Sequence, residues 1–425
     1  MNASKLLALT ATATALGLTL ASTAVAAASP AGPTARAATV DLARDKATLT
    51  TYRLAPGLLR ITPDRAGGNP SQVHGLLGMP RGKGPHPVVV VLHGTHHNCV
   101  SPGHPYIARK PVKTTWPLVC AEPGKPRPPG LGPDYLRQNV GLSHMVEALT
   151  RKGFAAVAID VVSPEIWWGG ETNAEKGYTA LIDAHLKLLT DLNKGVNHGL
   201  RVSGLKGRID TSRVGLVGHS RGGGYVLSPK AAARAGLFGA VAVQPLENAE
   251  PATHRVPVLN IRGACDEDVS PTAGLDTMKR LARSGSTKVA VDVRLAGTGH
   301  RMINSNLAPT DPGGGIGDCK ASKVAAPATA RAQTAQLTAD FLAQARKKVT
   351  AYRLPAVATA TPQGAPDPTP RGGNLRKGGP AVTFRTTTPA IYTDPRAIRE
   401  IVSKERLLPA IPKNLVVNKQ PDIGI

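Results

Sequence analysis

The sequence predicts an α/β protein: a mostly parallel central sheet with helices on both faces. Three observations carry the prediction. Strand-like and helix-like segments alternate from residue 87 to 346. The strand segments are unbroken apolar runs, such as Pro87-Val88-Val89-Val90-Val91-Leu92, of the kind covered on two faces. One of them, ending in Gly218-His219-Ser220-Arg221-Gly222-Gly223, passes through glycines into a segment able to be a helix. The composition agrees: among 425 residues, 41% are apolar, 19% charged and only 3% aromatic, so the core must rest on Val, Leu, Ile and Ala.

The chain then reads in order. Residues 1–28 are a signal peptide: Lys5 gives a positive start, Leu6 to Leu20 an uncharged apolar run, and Ala24-Val25-Ala26 a small-X-small cleavage pattern. The run is too short for a membrane span, so the protein is expected to be secreted and extracellular. Residues 29–46 are a flexible lead-in and 47–350 one domain. From Ala47 to Met79, short apolar runs between Pro and Gly clusters predict antiparallel edge strands. The strand at 87–92 ends in His93-Gly94-Thr95, where a glycine lets the loop backbone approach a ligand. This makes the Thr95 amide a candidate oxyanion donor. A long proline-rich loop follows, His96 to Gly132, expected to be an ordered flap.

Helical spacing over Tyr135 to Lys152 and a strand over Ala155 to Val161 come next. Trp167 and Trp168 follow that strand and suit either the lining of an apolar acyl pocket or a plug beneath a loop. Leu181, Ile182, His185, Leu188, Leu189 and Leu192 mark an amphipathic helix over Gly177 to Asn193. The helix after Ser220 should kink or end early at Pro229. Strands are predicted at Leu237 to Val243, Val256 to Arg262 and Val289 to Leu295, with a closing helix over Ala328 to Arg346. Residues 351–380 are a Pro/Gly-rich linker. Residues 381–425 are a basic C-terminal extension with a short helix expected at Pro395 to Leu407.

The formal charge is +24, but Lys and Arg are spread along the chain without interleaved aromatics, which argues against nucleic-acid recognition. A basic exterior suits contact with an anionic cell envelope or polymer, or simply a solvated surface. Export makes the four cysteines a disulfide set with three pairings open. Cys99 with Cys120 and Cys265 with Cys319 are the favoured pairs, since each ties a long loop beside a chemically interesting segment. The cluster His93, His96, His97, Cys99 and His104 lacks interspersed carboxylates and does not point to zinc.

A serine hydroxyl needs a base, and the base an orienting group. In a parallel sheet these should follow later strands, and two loops fit. Gly263-Ala264-Cys265-Asp266-Glu267-Asp268-Val269 is acidic and follows one strand; Gly297-Thr298-Gly299-His300 follows the next. The order Ser220, Asp266, His300 is nucleophile, acid, histidine. With His93-Gly94, Gly218-His219-Ser220-Arg221-Gly222-Gly223, the Gly263 to Val269 loop and Gly299-His300, the chain resembles the α/β-hydrolase superfamily. It is most similar to secreted bacterial serine esterases and lipases of the chlorophyllase and dienelactone-hydrolase-like kind, over residues 70 to 346.

The resemblance implies an α/β-hydrolase fold with Ser220 as nucleophile, His300 as general base and acid, and Asp266 as the group holding the imidazole. It implies an oxyanion hole from the amides of Thr95 and Arg221, a carboxylic ester substrate, an acyl-enzyme, and neither metal nor cofactor. A monomer is expected. Activity should fall as His300 becomes protonated below about pH 6 to 7. A peptidase, a polyester depolymerase, or a non-catalytic envelope-binding protein on the same scaffold are the alternatives. The long loop after Gly94, Pro229 and the extension depart from the family pattern.

Overall fold

The computed structural model describes residues 48–307, Cys319 and 324–348 apart from internal stretches, the longer being 54–58, 62–68, 110–136, 162–170 and 248–252, together with 382–387 and 398–402. The signal peptide, the lead-in, Cys120, Trp167, Trp168 and the linker lie outside the described residues.

The strands are β1 (Thr48–Arg53), β2 (Leu59–Ile61), β3 (Asn69–Ser71), β4 (His74–Met79), β5 (His86–Leu92), β6 (Cys99–Ser101) and β7 (His104–Arg109). They continue with β8 (Ala155–Ile159), β9 (Ile209–His219), β10 (Leu237–Val243), β11 (Val258–Gly263), β12 (Ala290–Leu295), β13 (Val382–Thr387) and β14 (Ile398–Val402). Eight of them, in the spatial order β12-β11-β10-β9-β5-β8-β4-β1, form the body of the main sheet. Only β4 runs antiparallel, against both β1 and β8; the other pairs are parallel. The expected antiparallel edge is therefore β1 with β4, and two small hairpins, β2-β3 and β6-β7, stand apart from the sheet. The second hairpin lies within the loop that the sequence left without periodicity.

Helices cover both faces. They are α1 (Ser143–Arg151), α2 (Glu171–Lys194), α3 (Arg221–Val226), α4 (Pro229–Ala232), α5 (Leu275–Ser284) and α6 (Pro327–Arg346). The twofold period of β5 divides its side chains between two cores. Val88, Val90 and Leu92 pack with Leu181, Ile182 and Leu189 of α2, whereas Val89 and Val91 pack with Met145 and Leu149 of α1 and Phe341 and Leu342 of α6. Each such fully buried aliphatic side chain contributes roughly 1.5–3 kcal/mol. A strand covered on both sides cannot alternate with polar residues, which is why the valine run was so readable.

Some boundaries differ from expectation. The helix predicted from Tyr135 starts at Ser143, preceded by a single 3-10 turn at Val140–Leu142. The helix expected from Gly177 begins six residues earlier, at Glu171. Pro229 does break the helix that follows Ser220: α3 stops at Val226, the Ser228 hydroxyl accepts the Ala231 amide at 3.3 Å, and Pro229 opens α4, where a missing amide costs nothing. Helix α5 was not anticipated, although Leu275, Met278 and Leu281 recur on one face and are buried.

The extension needs a correction. The short helix expected at Pro395 to Leu407 is instead strand β14, which pairs in parallel with β1, Leu49 against Ile398 and Arg53 against Val402. Ile398-Arg399-Glu400-Ile401-Val402 is rich in β-branched residues, and an unpaired edge of β1 supplies hydrogen-bonding groups that an isolated helix would not satisfy. Strand β13 pairs likewise with β12.

Candidate active site

Strand β9 is central, between β5 and β10, and ends at His219. Ser220, the next residue, has φ 56° and ψ −125°, outside the regions comfortable for a residue with a side chain. That conformation costs about 1–3 kcal/mol and is held by its surroundings. The Ser220 amide donates to Val243 O of β10 at 3.0 Å, and Ser220 O accepts from the amides of Gly224 and Leu246, each at 3.0 Å. The turn also requires its glycines. A Cβ at Gly218 would lie 2.1 Å from Gly222 O, and one at Gly222 would lie 2.7 Å from His93 O. The sharp strand-to-helix turn read from the sequence is thus present, with Ser220 9% exposed at its apex.

Gly94, just past β5, backs directly onto this serine: a Cβ there would sit 2.4 Å from Ser220 Cβ and 2.9 Å from its Oγ. The neighbouring Thr95 accepts a hydrogen bond through Oγ1 from Arg221 Nε at 2.7 Å. The two residues expected to supply oxyanion donors are therefore tied to one another across the serine, one from the β5 loop and one from the first turn of α3.

His93 fixes that loop. Its ring is fully buried; Nδ1 donates to Gly94 O at 2.8 Å, and Nε2 accepts from the Val161 amide at 2.9 Å. A carbonyl only accepts and an amide only donates, so the bonds define a neutral ring with its proton on Nδ1. Asp160, at the end of β8, brings Oδ1 to 3.2 Å from the same Nε2, while its Oδ2 lies 3.7 Å from His74 Nδ1. Burial acts to raise the Asp160 carboxyl, but the hydrogen bond and charge of His74 oppose it, and the group is held well below the usual carboxylate range.

Two strands away, the acid loop after β11 and the histidine loop after β12 meet. Asp266 Oδ2 accepts from His300 Nδ1 at 3.0 Å, and both side chains are 1% exposed. The other carboxylate oxygen, Oδ1, accepts the amides of Asp268 and Val269 at 3.1 and 2.9 Å. Burial works to lower the His300 pKa, but the Asp266 hydrogen bond and charge, with Asp268 and Glu267, prevail and raise it above 6.5. Asp268 takes the supporting place, its amide rather than its carboxylate engaged. The disulfide Cys265–Cys319 is formed, with Cα atoms 5.5 Å apart, immediately beside Asp266.

His219 links the two halves of the site. Its ring centroid is 4.6 Å from that of His300 and 5.7 Å from that of His96. Burial, then the charges of His300 and His96, depress its pKa well below 6.5, so it stays neutral beside His300. His300 thus packs on the residue that precedes Ser220, and no hydrogen bond joins Ser220 Oγ to His300 Nε2 among the described residues.

No protein-family model matches this chain, and no curated protein matches it. Interpretation of the site therefore rests on its own geometry.

Sequence reasoning placed Ser220, Asp266, His300, Thr95 and Arg221 at one end of the sheet, and the structure brings all five to the carboxyl ends of β5, β9, β11 and β12. It did not anticipate the packing of His219 or the contact made by Glu267. For His219 the signal was its place inside the glycine-flanked motif. For Glu267 there was none beyond proximity to Asp266.

Proposed function

We propose that this chain is a serine hydrolase of the α/β-hydrolase type, cleaving carboxylic esters through an acyl-enzyme. The observation that carries the reading is the backbone of Ser220, held at φ 56° on a strand-to-helix turn, with the buried Asp266–His300 pair following the next two strands but one. Such strain is sustained only where surroundings enforce it, and it lifts a hydroxyl clear of the sheet. The chain order of the three groups is that of the same fold.

The steps follow from the protonation states. Asp266 occupies His300 Nδ1, so the proton of the neutral ring sits there and Nε2 carries the lone pair. His300 takes the Ser220 proton as Oγ attacks the ester carbonyl. The Thr95 and Arg221 amides receive the oxyanion, and the imidazolium returns the proton to the leaving alcohol. Water repeats the sequence on the acyl-enzyme. Export through the amino-terminal segment and contact of the basic surface with an anionic envelope belong to the same reading.

The test is labelling by a fluorophosphonate probe together with hydrolysis of p-nitrophenyl esters from acetyl to long acyl chains. Wild type should react at Ser220 and turn over esters; Ser220→Ala should do neither while melting like wild type. An unlabelled Ser220 in folded protein would overturn the reading, and labelling without ester turnover would redirect it to amides or polyesters.

A further inference from the structure

Both oxygens of Asp266 are engaged, one by two loop amides and the other by the imidazole of His300, and its hydrogen bond to His300 holds the ring and not the main chain that carries the ring. A second carboxylate stands at that place. Glu267 Oε2 accepts the backbone amide of His300 at 3.2 Å. The same oxygen rests on bare Gly299, where a Cβ would come within 3.0 Å of it. Glu267 Oε1 is buried and has no hydrogen-bond partner. A carboxylate oxygen left dry and unpaired is costly unless positive charge lies near to compensate.

We propose that Glu267 is a positioning residue for His300: it clamps the histidine's main chain while Asp266 clamps its ring, and it sets a second negative charge beside the imidazolium formed during turnover. This rests on His300 acting as the base. Besides the Asp266–His300 bond, main-chain bonds farther back join the two loops among the described residues, Ala264 N to Leu295 O at 2.9 Å and Cys265 N to Thr298 O at 3.0 Å. Without Glu267 nothing among these contacts fixes the amide of residue 300 itself.

The charged and titratable groups around the imidazole are Asp266, Glu267 and Asp268 from the acid loop, His219 from β9, His96 from the β5 loop, and Arg301 next in the chain. From α6, Arg331 Nη1 donates to Met302 O at 3.2 Å. His219 is neutral, so the carboxylates dominate. Burial, opposed by the bond to the His300 amide and aided by the charges of Asp266 and Asp268, raises the Glu267 pKa.

Two variants separate the two duties. Glu267→Gln keeps an acceptor oxygen and removes the charge; Glu267→Ala removes both. In the full-length protein, the His300 ring titration followed by NMR should move to lower pH in Glu267→Gln by about half a pH unit or more. The acid limb of kcat/KM should move with it. At the alkaline plateau, Glu267→Ala should lose about tenfold in kcat with little change in KM, as expected for a displaced base, and Glu267→Gln should lose distinctly less. A Glu267→Gln titration superimposable on wild type overturns the electrostatic duty. Equal plateau losses in the two variants overturn the clamp. Because the NMR titration needs no substrate, failure of wild type to hydrolyse esters or accept a fluorophosphonate would remove the hydrolase reading and still leave the charge coupling measured.

Discussion

Two aspartate-histidine pairs lie at the same end of the sheet, both buried, and they differ in what holds the second ring nitrogen. In the first, His93 beside Asp160 gives one ring nitrogen to Gly94 O and the other to the Val161 amide. In the second, His300 gives Nδ1 to Asp266, and Nε2 takes no hydrogen bond from a described group. Pairing with a carboxylate is common to both, so it does not itself make a catalytic histidine. What differs is the fate of the second nitrogen. Backbone occupies it in the first pair, which makes that imidazole a rivet between the ends of β5 and β8. In the second pair no backbone group among the described residues holds it, as the proposed role of His300 requires.

The largest expected effect tests this directly. His300→Ala should lower kcat/KM for a p-nitrophenyl ester by at least about four orders of magnitude while the protein stays folded by circular dichroism. Reduction of Cys265–Cys319 comes next. The bridge spans 54 residues, and opening a loop of that size removes about 4 kcal/mol in the chain-entropy model. Denaturant unfolding with and without reductant measures it, and the acid and base should loosen before the His93 pair, which lies outside the bridged loop. His93→Ala should do the reverse of His300→Ala. Two buried backbone groups lose their partner, so stability should fall by about 3 kcal/mol by urea unfolding. Any loss of activity would follow from the Gly94-Thr95 turn and be smaller than that of His300→Ala.

The smallest effect has opposite signs in the two pairs. The His300 pKa is raised above 6.5, so the stability its protonated form gains is fully present below about pH 6.5 and is lost as pH rises through the folded value. The Asp160 carboxyl is depressed below 3.8, so its contribution is present above that pH and lost only as pH falls through its lower folded value. Unfolding free energies from pH 3 to 9 should show Asp266→Asn converging on wild type toward alkaline pH and Asp160→Asn converging toward acid. Each gap should be about 1 kcal/mol or more. Parallel curves would erase the distinction between the pairs.

Much of this architecture was legible before any coordinates. Valine runs covered on both faces cannot be mistaken for solvent-facing strands, and Gly218, Ser220 and Gly222 announce a turn that tolerates no other side chains at its flanks. Asp266 and His300 were found because each follows a strand by a few residues in a glycine-rich loop. Other features depend on contacts between distant segments. The neutral state of His93 is set by Val161 and Gly94, and the stacking of His219 on His300 by the spacing of neighbouring strands. The clamp by Glu267 arises from the approach of two loops 33 residues apart. Helix α5 escaped because its apolar stripe is only three residues long, and β14 because its partner edge lies some 350 residues upstream.

The bridge between residues 265 and 319 has one more consequence. A protease cut at a peptide bond between residues 266 and 300 would leave the polypeptide as a single covalent molecule, with the fragment that carries Asp266 still joined through sulfur to the one that carries His300. A preparation nicked there would run intact on a gel without thiol and fall into two fragments once thiol is added.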